Sequence, residues 1–141
     1  MQDEPTPIEL TKAVADFLRN EVTPIISGHS AFKLRVAINI LDLVIRQLTL
    51  EEDSDAREVE RLTRLLGMKG SVMELNRVLA ERIAKGEVSL ATAGLAEHLW
   101  HTTMDKLAVD QPNYASYKRE LVRDQAAGCS AVLPPGKISD L

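Results

Sequence analysis

Four polar side chains recur along one line of an otherwise apolar stretch. Between Ala31 and Leu48 (AFKLRVAINILDLVIRQL), Arg35, Asn39, Asp42 and Arg46 follow one another at steps of four, three and four residues, which returns each to the same helical face. Two guanidinium groups with an amide and a carboxylate between them suit an anionic ligand, such as an acyl-CoA or a phosphorylated compound, held by paired hydrogen bonds. Two structural readings compete. Asp42 and Arg46 form an i,i+4 ion pair on a solvated edge, or the row is buried and satisfied by polar residues elsewhere, such as Asp105 or Asp110. Ion-pair networks are commonly structural, so these two together outweigh the ligand reading.

A second set is His98, His101 and Asp105, at i, i+3 and i+7 on one helical face. That spacing supplies nitrogen and oxygen ligands for a metal. The chain has no HExxH, and Glu-x-x-His occurs nowhere in it, so a wet helix face with two histidines is the better reading and no metal or cofactor is expected. The third set, Asp105, Lys106, Asp110 and Tyr114, surrounds Pro112 and is dense in hydrogen-bonding groups. It reads as a helix junction, or as a pocket corner facing Arg35 and Asn39. Cys129 falls in a stretch that offers nothing to activate it, and no G-x-S-x-G elbow or phosphate-binding loop is present.

The elements that must position these groups are helices. Thr6 with Glu9, around Pro7, makes a capping box that starts one. Leu10, Val14, Phe17, Leu18 and Val22 give it an apolar face, it ends before Pro24, and Ile25 and Ile26 are expected to tuck under the next helix. The stretch 31–48 is apolar around most of its circumference, so it is predicted to be a central helix enclosed by its neighbours. The acidic run Glu51–Asp55 punctuates the chain and opens a third helix with Val59, Leu62, Leu65 and Leu66 inside, stopped at Gly67. Arg57, Glu58, Glu60, Arg61 and Arg64 look like its solvated face. Ser71 and Glu74 make a second capping box ahead of Val72, Leu75, Val78, Leu79 and Ile83. A fifth helix spans about 92–109, with Leu95, Leu99, Trp100, Met104 and Leu107 on its apolar arc. A sixth, short one runs from Tyr114 to about Arg123. No segment alternates with the period of a strand.

The expected fold is therefore all-α: an antiparallel bundle of five to six helices, with a single domain over 1–125 and a flexible tail over 126–141. The chain has 141 residues, a net charge of −4 and one cysteine. The acidic balance argues against nucleic acid as a partner. The single cysteine excludes an intramolecular disulfide. With no signal pattern and no apolar run of about 18 residues, the expectation is a cytoplasmic protein outside the membrane.

Three stretches, PTPIELTKAVADFLRNEV, AFKLRVAINILDLVIRQL and DKLAVDQPNYASY, resemble a bacterial family of small helical proteins described as a domain of unknown function. The resemblance covers about Met1 to Tyr117. It implies gene neighbours of two kinds, aminoglycoside-phosphotransferase-like kinases and acyl-CoA dehydrogenases, and it carries over no catalytic residue. Arg35, Asn39, Asp105, Lys106, Asp110, Pro112 and Tyr114 are the matched positions to test first. The sequence points to a non-enzymatic helical protein that binds a partner, either a second copy of itself or one of those enzymes. The alternative is a binding protein or enzyme for an anionic ligand, with Arg35 and Arg46 as the clamp and Asp105 or Asp110 as a base.

Overall fold

The computed structural model describes residues 4–126; the tail and Cys129 lie outside them. Among the described residues the chain forms five α-helices and no strand: α1 (Pro7–Phe17), α2 (Gly28–Leu66), α3 (Val72–Ala84), α4 (Leu95–Asp110) and α5 (Ala115–Ala126). It divides into two compact units, one up to Asp53 and one from Ser54 onward.

In the first unit, α1 starts as its sequence dictates. The Thr6 hydroxyl accepts from the Glu9 N–H at 3.2 Å, and the Thr6 N–H donates to the Glu9 carboxylate at 2.7 Å. The helix then widens into a π turn (Leu18–Val22) and a 3-10 turn (Thr23–Ile25). The Leu18 carbonyl accepts both the N–H and the hydroxyl of Thr23, just before Pro24, which has no N–H to continue the ladder. Inside this unit Ala15, Ile38 and Ile45 are buried. Leu10, Val14 and Phe17, predicted to pack inward, are exposed, and Ile25 is 81% exposed rather than tucked away.

The long helix corrects two expectations. The acidic run Glu51–Asp55 does not start a third helix, because α2 continues through it for 39 residues. Nothing between His29 and Leu66 is a glycine or proline, and exposed acids cost a helix only tenths of a kcal/mol each. Nor is the stretch 31–48 enclosed: Phe32, Val36, Ile40, Leu43, Val44 and Leu48 are 37–58% exposed.

The second unit holds the main cores. Gly67 adopts φ +68° and its N–H closes on the Thr63 carbonyl at 2.9 Å, the left-handed stop that ends α2. The Ser71–Glu74 box starts α3, and Arg82 reaches back to the terminal Leu66 carbonyl at 3.4 Å. Leu62 and Leu66 of α2 pack with Leu75 and Leu79 of α3, with Val88, and with Leu95 of α4. A second cluster joins Met104 of α4 to Tyr117 and Leu121 of α5. Thus α4 begins at Leu95 rather than Thr92, whose hydroxyl instead accepts from the Ser89 N–H in the preceding turn. Asp110 ends α4, and α5 follows from Ala115.

Candidate functional site: an apolar hairpin face and a polar seam

Two features stand apart from ordinary packing, one in each unit. In the first unit, an ion pair orients the hairpin of α1 and α2. Arg19 donates to Asp42 at 2.7 Å and to Asp16 at 2.9 Å, which sets the faces bearing Ala15 and Arg19 on α1 against those bearing Ile38, Asp42 and Ile45 on α2. With about 100° between successive residues, Arg19 lies to one side of Ala15, and Leu10, Val14 and Phe17 lie to the other. Asp42 likewise lies to one side of Ile38 and Ile45, and Ile40, Val44 and Leu48 lie to the other, while Phe32, Val36 and Leu43 point away from α1. Since Arg19 and Asp42 meet, the polar sides of both helices coincide. Leu10 and Val14 of α1 therefore share the opposite side with Val44 and Leu48 of α2, with Ile40 at its outer edge.

The predicted strip falls on the polar side of this hairpin. Arg35 and Asn39 are exposed, while Asp42 and Arg46 are half-buried. Asp42 is engaged by Arg19, a residue the sequence reading did not single out. The spacing of the strip was legible, whereas its long-range partner was not, because Arg19 lies 23 residues away.

In the second unit, α2 and α4 meet along a polar seam. Arg57 Nη2 and Arg61 Nη2 donate to the two oxygens of Asp105 at 3.1 and 3.3 Å. Arg57 and Arg61, expected on a solvated face, are largely buried here. Glu58, between them, accepts from Asn76 of α3 at 2.6 Å. Five atoms in this unit are buried without a hydrogen-bond partner among the described residues: Arg57 Nε, Arg61 Nε, His98 Nδ1, Thr102 Oγ1 and Glu120 Oε2, the last of these 3.0 Å from Arg123 Nη2 in an ion pair. His98 is 2% exposed. Burial holds its pKa below the usual imidazole value, with Arg61 and His101 adding to the shift and Glu58 opposing it. His98 is thus a neutral core histidine, not part of a wet face.

The metal candidates do not converge: no group of three or more His, Cys, Asp or Glu suited to a metal ion forms among the described residues. Asp105 is occupied by two arginines, and His101 is half-buried. Of the junction residues, Lys106, Asp110 and Tyr114 are exposed, and it is Tyr117 that packs into the core, 3% exposed. Its burial, helped by the nearby Asp105 charge, raises its pKa.

The fold defines an all-α protein with an amphipathic helical hairpin and a separately cored helical unit, in which no described helix is long and apolar enough to cross a membrane. Residues 24–114 match the family described as Domain of unknown function (DUF6285), and the chain belongs to that family. The match includes the 31–48 stretch and most of the 105–117 stretch, while the 5–22 stretch lies ahead of it. No curated protein and no solved structure matches the chain.

Proposed function

We propose that this chain is a non-catalytic accessory protein of the bacterial cytoplasm that works by binding another protein through the apolar side of its N-terminal hairpin. One observation carries this reading. Leu10, Val14 and Phe17 of α1 and six large apolar residues of α2 are exposed within one small unit. Monomeric proteins rarely leave so many large apolar side chains of one small unit in water, and apolar surface of this kind usually marks an interaction site. The chemistry-bearing groups support the same reading from the other direction. Asp105, one of the two candidate bases, accepts from Arg57 and Arg61 within its own unit and so does not stand ready as a base, and Asp110, the other, is exposed.

The resemblance names two partner classes to try, a phosphotransferase-like kinase and an acyl-CoA dehydrogenase. Tagged protein is expected to retain a partner in pull-down with purified enzyme, or to associate with itself. Placing a charge on the face, Ile40→Asp, is expected to abolish that binding. Recovering neither enzyme, together with a monomer by light scattering, overturns the reading.

The anionic-ligand alternative has one observation of its own, the buried Nε donors of Arg57 and Arg61, which have no acceptor among the described residues. A thermal-shift screen with CoA, acyl-CoA and nucleotides tests it. Ligand at a hundredfold excess over its dissociation constant adds about 2.7 kcal/mol of stability, and flat curves reject the alternative.

A further inference from the structure

We draw no further inference here: the strongest candidate, the buried side-chain cluster of Arg57, Arg61, His98 and Thr102 between α2 and α4 with its unpartnered polar atoms, belongs to the site already described, and the apolar side of the α1–α2 hairpin carries nothing because nothing in the structure shows what covers it.

Discussion

A histidine with almost no exposed surface and an unpartnered ring nitrogen makes stability depend on pH. The pKa of His98 is lowered in the folded chain by burial, so the unfolded chain binds the extra proton first as acid is added. Stability from this group is complete above the unfolded imidazole value of about 6.5 and falls as pH drops below it toward the folded value. Melting temperature is therefore expected to decline as pH falls below about 6.5, and His98→Leu is expected to flatten that part of the profile. An unchanged profile in the variant rules out His98 as its source. Asp105 supplies a second residue-scale prediction. Removing it leaves Arg57 and Arg61 facing one another without their acceptor, so Asp105→Ala should destabilise by about 1–3 kcal/mol. Arg57→Ala, which leaves Asp105 still paired to Arg61, should cost less. Denaturant titration of the two variants checks the order.

Neither of these roles was legible in the sequence, for a shared reason. The wheel of α4 places His98 and Asp105 opposite several apolar residues, which suggests a wet face. In the fold α4 contributes to two clusters. Leu95 packs into the cluster shared with α2 and α3, and Met104 into the cluster shared with α5. A helix buried on two faces shows little one-sided pattern, and which polar residue is enclosed depends on partners distant in sequence. By contrast, the two capping boxes and the Gly67 stop were legible to the residue, because each is a hydrogen-bond pattern closed within a few positions.

At the scale of elements, the continuity of α2 is the feature the sequence obscured. An acidic run resembles punctuation, yet only a residue that removes a donor or frees the backbone ends a helix, and neither occurs there. Asp53→Pro discriminates between the two arrangements. Within a continuous helix it removes a ladder hydrogen bond and is expected to cost about 3 kcal/mol. At a turn between separate helices it would be nearly neutral. The core beside it is more conventional. Leu75 has no exposed surface, and Leu75→Ala is expected to cost about 2–5 kcal/mol by cavity formation. A loss below 1 kcal/mol would mean that the α2–α3 cluster does not hold this unit together.

Across the whole molecule, interior is unevenly distributed. Among the described residues, the chain from Ser54 onward owns two apolar clusters, whereas the unit up to Asp53 fully buries three apolar side chains and exposes many more. Because hydrophobic burial is the main term opposing chain entropy, the two units should differ in what they need in order to fold. A fragment of residues 54–126 is expected to keep its helicity at any concentration, since its clusters lie within it. A fragment of residues 4–53 is expected to be helical only as it associates, its circular dichroism rising with concentration as exposed apolar side chains cover one another. Dilution series on both fragments measure this directly. Should the N-terminal fragment be fully helical and monomeric when dilute, its exposed side would have no energetic need of a second copy. The apolar face would then have to be explained by a partner of different chemistry.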